Sequence, residues 1–184
     1  MTTLLLDMDG PLADFDTHFW NVCTGLGHLF DIDHPGDQVH RYFTDHITDD
    51  THRAEARALV DGAGWFADLP VTPGAVEGVA ELLADGVDIW VCTKPLEVNP
   101  TCLNDKHAWL VRHFPDLAHR LITAPDKSVI IGDVLLDDAP KRAWLDRAVW
   151  QPVLFDAPYN RTGWMASLHR WSWGQSVRDL LAPF

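Results

Sequence analysis

The sequence predicts an α/β protein: a doubly wound, mostly parallel sheet of about five strands, with a helical segment inserted after the first strand. Three observations carry this. Five short runs are apolar almost throughout, as strands covered on both faces are. Helical patterns alternate with them, the order expected of parallel βαβ units. The long stretch 15–68 holds helical patterns but no convincing strand.

The first strand is Thr3–Leu6. Helical patterns follow at 15–24 and 50–60, inside the insertion. The division expected is therefore a core of residues 1–14 and 69–184 and a helical cap of residues 15–68. Ala75–Ala84 comes after Pro73-Gly74 and stops near Gly86, with Val76, Val79, Leu82 and Leu83 on one face. A second strand is expected at 87–92, then a helix at 106–114 stopped by Pro115. Further strands are expected at 120–122, 129–131 and 149–154, and a last amphipathic helix at 172–181.

Hydrophobic residues make up 47% of 184, so a substantial core is expected. The formal net charge of −13 argues against a grip on a nucleic-acid backbone. Cys23, Cys92 and Cys102 form no CxxC pair, which favours a reduced, cytoplasmic setting and inert thiols. No apolar run approaches the ~20 residues that span a bilayer. The stretch 31–37 opens like a Ca²⁺ loop but has Tyr42 where Glu is required, so it is read as a cap loop. His28, His34, His40, His46 and His52 recur at a step that shares no helix face and are read as surface or capping residues. The nine tryptophans are assigned to core and seam packing, Trp65-Phe66 included.

Ligands of open parallel sheets bind beyond the carboxyl ends of the strands. The first strand runs into Asp7-Met8-Asp9-Gly10. The second runs into Thr93-Lys94-Pro95, with Lys106 beyond it. The fourth is followed by Asp133 and Asp137-Asp138. Carboxylates brought together from these places repel one another unless a cation sits among them. Hard oxygen ligands, few in number, suit Mg²⁺ shared with a substrate phosphate. Thr93 and Lys106 would face that phosphate, and an Asp can serve as the nucleophile of phosphoryl transfer.

This ordered set resembles the four-motif signature of the haloacid dehalogenase (HAD-like) phosphatases. The segments "GWFADLPVTPGAVEGVAELL", "VCTKP", "CLNDKHAWLVRHF", "PDKSVIIGDVLLDDAP" and "YN…RWSWGQSVRDLL" are similar to the 5'(3')-deoxyribonucleotidase family. The resemblance implies a Mg²⁺-dependent phosphatase for deoxyribonucleoside monophosphates. Asp7 would be the nucleophile and Asp9 the general acid and base. Thr93, Lys94 and Lys106 would hold the phosphate. Asp7, the main-chain carbonyl of Asp9, Asp138 and Asp137 would hold the metal, with Asp133 close by. The insertion would cap the site, with Phe15, Tyr42 and Phe43 toward the base and Lys127 near the substrate. Asp14 and Asp16 would favour the first turn of a cap helix. The implied partner is the small nucleotide, with neither a nucleic-acid polymer nor a membrane, and a homodimer stays open.

Two positions depart from the family pattern. Lys94 stands where a small hydroxyl residue is usual, and Pro11 stiffens the loop while removing an N–H donor. They keep two other readings open: a phosphatase of the same architecture for another ester such as a sugar phosphate, and a nucleotide-binding or phosphate-binding module with little turnover.

Overall fold

In the computed structural model, which describes residues 1–182, Leu4, Leu5 and Leu6 are almost wholly buried, because their strand lies inside the sheet. That strand is β1 (Thr3–Leu6), flanked by β2 (Asp88–Thr93) and β4 (Val134–Asp137). With β3 (Leu121–Thr123), β5 (Gln151–Phe155) and β6 (His169–Trp171) it forms one parallel sheet in the order β3-β2-β1-β4-β5-β6. The chain order reverses on either side of β1, which puts a crevice at its carboxyl end.

The expected strand at 129–131 is not formed. Lys127–Val129 is a 3-10 turn started by Asp126, whose side chain accepts from the Ser128 N–H, and Val129 and Ile131 are 62% and 84% exposed. The strand comes later, at the fully buried β4. Gly132 explains the offset: a Cβ there would lie 2.7 Å from Leu5 Cγ, so the chain passes tightly over β1 before it enters the sheet. The sixth strand was not expected, since His-Arg-Trp has no apolar run; it is an edge strand. β5 begins later than expected because Val149 is exposed.

The inserted stretch holds α1 (Phe15–Gly25) and α2 (Asp50–Asp61), started by Asp14 and Asp49, whose carboxylates accept the N–H groups of Thr17 and His52. Phe19, Phe43 and Trp65 are buried between these elements, with Phe15, Trp20 and Phe30 packed on them. The chain enters and leaves this stretch side by side: Asp14 N–H donates to Pro70 O, and Thr72 N–H to Leu12 O. Asn99 clasps it from the β2 side, donating to Val60 O and Gly62 O.

α3 (Ala75–Ala84) and α4 (Cys102–His113) cover the sheet, and α4 begins a turn earlier than expected. α5 (Arg142–Leu145) and α6 (Val177–Leu181) are short; the final helix is capped by Ser176 and starts at Val177, not 172. Trp173 fills the space above Gly78, where a Cβ would lie 2.1 Å from its ring, and its Nε1–H donates to Pro11 O at 2.6 Å. No helix among the described residues is long and apolar enough to cross a membrane.

Candidate active site

The loop after β1 is shaped by its own backbone. Leu12 and Ala13 N–H donate to Met8 O, and Gly10 N–H donates to Ala13 O. Pro11 therefore removes none of these bonds. Gly10 has φ +90°, and a Cβ there would lie 3.2 Å from Asp138 Cγ, so glycine is favoured by both torsion and space. The loop turns Asp7 and Asp9 to the same end of the sheet.

Two buried lysines answer these acids. Lys106 Nζ lies 2.5 Å from Asp9 Oδ2 and donates to Thr93 Oγ1 at 2.8 Å. Lys127 Nζ lies 2.8 Å from Asp7 Oδ1 and 2.7 Å from Asp137 Oδ2. Lys127, expected near the substrate, thus sits against Asp7 and Asp137. The 3-10 turn pulls it inward, 2% exposed, beneath the acids.

Asp7, Asp137 and Asp138 offer oxygens within 4.8 Å of one another. Burial pushes the Asp7 carboxyl up to about 8, and Asp137, Asp138 and Asp9 push the same way against Lys127. Burial also raises Asp138, while Arg41 and the Tyr159 hydroxyl oppose the rise. Four carboxylates thus face two lysines, and a divalent cation fits this donor set. Asp137 is already engaged, by Lys127 and by the Ala139 N–H. Asp138 takes one bond on Oδ2, from Tyr159. Asp133 does not belong here. It accepts the Thr3 N–H at 2.7 Å at the entrance to β4, the opposite end of the sheet from Asp7.

A cavity of about 530 Å³ opens over the acids, between the sheet edge and the inserted stretch. Asp7, Asp9, Thr93 and Asp138 line its floor, exposed Lys94 lines its mouth, and Phe15, Tyr42, Phe43 and Phe66 contribute aromatic surface. Tyr42 is 63% exposed, whereas Phe43 is mostly core, stacked on Phe19. Phe66 was assigned to seam packing, yet it lines this cavity, with its ring 4.9 Å from Lys106 Nζ.

Two cavity residues, Arg41 and Tyr159, had no sequence-derived role, and a third, Asp16, was expected only to favour the first turn of a cap helix. Asp16 points inward from the first turn of α1. Burial pushes its carboxyl up to about 8, with Asp138 adding to the rise. Arg41 reaches from the inserted stretch to Ala139 O at 3.4 Å. Tyr159 donates to Asp138, and Asn160 beside it donates to Asp138 O and Phe155 O. Arg41 sits in a loop and Tyr159 in the three-residue 3-10 turn Pro158–Asn160, neither with a periodic signal.

His28 and His46 are buried, not surface residues; His28 pairs with Glu55 and His46 with Asp31. The three cysteines are buried, and burial raises all three thiols, to about 11 for Cys23 and about 12 for Cys92, as inert thiols require.

Similarity to known proteins runs through both sequence and fold. A cytosolic-type 5'(3')-deoxyribonucleotidase of Homo sapiens is 30% identical over 97% of this chain and 92% of its own length. A Bordetella pertussis protein named as a candidate 5'(3')-deoxyribonucleotidase is 38% identical over 86% of this chain and 85% of its own. A HAD family hydrolase from Deinococcus radiodurans, solved with bound phosphate and sodium, shares the fold with a TM-score of 0.51. It is 16% identical, over 92% of this chain and 90% of its own. The model of the family described as 5' nucleotidase, deoxy (pyrimidine), cytosolic type C protein matches residues 1–182, and the chain belongs to that family.

Proposed function

We propose that this chain is a phosphomonoesterase that releases phosphate from deoxyribonucleoside 5'(3')-monophosphates through an aspartyl-phosphate on Asp7. The observation that carries the reading is the pairing of two acids with two buried lysines at the carboxyl end of the sheet, Asp7–Lys127 and Asp9–Lys106, beneath an aromatic-walled cavity. The named activity of the Homo sapiens relative supports the substrate class.

Asp7 Oδ1 is fixed by the Met8 N–H at 2.8 Å and by Lys127, which leaves Oδ2 to attack phosphorus. The new Asp7–phosphorus bond forms as the ester oxygen departs, and Asp9 gives that oxygen its proton. Asp9 Oδ1 is a buried acceptor without a partner among the described residues, so a proton or a ligand is what it lacks. Lys106 and the Thr93 hydroxyl take phosphoryl oxygens, and Lys106 in doing so releases Asp9 Oδ2. Water then attacks phosphorus, Asp9 takes its proton, and Asp7 leaves as a carboxylate. Lys94 lines the mouth as a further charge for phosphate.

A bound Mg²⁺ would offset the negative charge of the acids and the phosphoryl group. Asp7, Asp138 and the Asp9 main-chain carbonyl would hold it, with Asp137 bracing Lys127 behind them. Residues 15–68 act as a cap; Phe15 and Tyr42 face the nucleoside, with Phe43 packed in the core behind them. Stacking a base on such aromatics contributes roughly 1–3 kcal/mol.

The test is phosphate release from deoxynucleotides, ribonucleotides and sugar phosphates, with Mg²⁺ and with chelator. Metal-dependent turnover highest for deoxynucleotides is expected. Turnover confined to sugar phosphates would replace the substrate, and binding without turnover would replace the enzyme reading.

A further inference from the structure

The cavity wall that faces the nucleoside comes partly from a loop, and this loop is held by one buried ring. His46 is 1% exposed. The backbone N–H groups of Val39 and His40 both point at its Nε2, each at 3.2 Å. Nε2 is therefore the acceptor nitrogen, and the proton sits on Nδ1, which donates to Asp31 Oδ1 at 2.7 Å. Asp31 N–H in turn donates to His46 O. On the next residues, buried Gln38 donates its Nε2–H to Arg41 O at 3.0 Å. Arg41 and Tyr42, which follow Val39 and His40 directly, line the cavity.

Backbone donors that lose a buried acceptor must find another, and a loop does so by moving. We propose that His46 is a positioning residue for substrate specificity: with Asp31 fixing its tautomer, it holds loop 38–43 so that Arg41 and Tyr42 meet the nucleoside. His46 itself lies in the loop core and touches neither Asp7 nor the phosphate floor. This rests on the function proposed above, with the cap recognising the nucleoside part of the substrate.

Kinetic constants for dTMP and for para-nitrophenyl phosphate, measured in parallel, test it. Preference of the unmodified protein for dTMP is checked first; its absence removes the proposed function and this inference with it. His46→Leu, which cannot accept the two N–H groups, is expected to raise KM for dTMP about tenfold while its kcat and both aryl phosphate constants stay within about twofold. His46→Gln, whose Oε1 can replace the Nε2 acceptor, is expected to recover most of that KM. An unchanged KM in folded His46→Leu overturns the inference, as does an equal loss on both substrates that Gln fails to rescue. Should His46→Leu not fold, Asp31→Ala decides, since Asp31 is about half exposed and its loss frees the ring to take the wrong tautomer. A severalfold rise in KM for dTMP alone is then expected, and no change overturns the assignment.

Discussion

Replacing Lys127 with Met keeps the length of the side chain and removes its charge. In the native protein Nζ sits 2.8 Å from Asp7 and 2.7 Å from Asp137, with the side chain 2% exposed. The variant leaves two carboxylates facing each other and Asp138 with no lysine between them. Removing one partner of a buried pair costs about 3–5 kcal/mol, a large share of the ~5–15 kcal/mol typical of a domain. With a urea m-value of about 2 kcal/mol/M, the metal-free midpoint should fall by about 2 M. The penalty should grow with pH. Burial raises the folded-state pKa of Asp7 and Asp138 above the unfolded value near 4, so stability falls as pH climbs from that value through the folded one. Urea titrations in EDTA at pH 5 and pH 8 read both effects. Lys106→Met is the control, because its partner Asp9 is 33% exposed and water screens that pair. A loss below about 1 kcal/mol for Lys127→Met, or a larger loss for Lys106→Met, would refute the assignment of Lys127 as the buried counter-charge of the nucleophile.

Asp16 titrates near 8 in the folded protein against 3.8 as a free side chain. Between those values the folded state holds the extra proton, so the metal-free protein loses stability as pH rises from about 4 to 8. Asp16→Asn should flatten that slope in thermal melts at pH 5 and pH 8; an unchanged slope would show that Asp16 does not carry it. Phe15→Ala should raise KM for deoxynucleotides by roughly 5- to 150-fold, the equivalent of 1–3 kcal/mol of stacking, and leave a small aryl phosphate less affected. Equal losses on both substrates would place Phe15 in the cap core, where it also packs 5.9 Å from Trp65, and not against the base.

The sheet and the ends of its first two strands were legible because the chain switches there from apolar to polar within a residue or two, as at Leu6-Asp7 and Cys92-Thr93. α1 and α2 were legible from their helical patterns, with Asp14 expected to favour the first turn of α1. Apolarity alone could not choose between 129–131 and 134–137 for β4, since both runs are greasy. The deciding facts are three-dimensional: Gly132 must pass Leu5, and Lys127 must reach two carboxylates. Asp133 moved to the other end of the sheet for the same reason. Lys127 was seen, but its depth was not, because a lysine in a three-residue turn gives no sign of burial. Arg41 belongs to a loop and His46 and Tyr159 to short 3-10 turns, where position depends on contacts far along the chain, such as the one from Arg41 to Ala139, 98 residues on.

The central claim is that phosphate passes through Asp7. The direct measurement is to mix enzyme with deoxynucleotide and Mg²⁺, quench in acid during turnover, reduce with borohydride, and map the modified residue by peptide mass spectrometry. Conversion at Asp7, none at Asp9, and no signal from Asp7→Asn, which should stay folded and inactive, are expected. Modification at another carboxylate, or rapid turnover by Asp7→Asn, would contradict it.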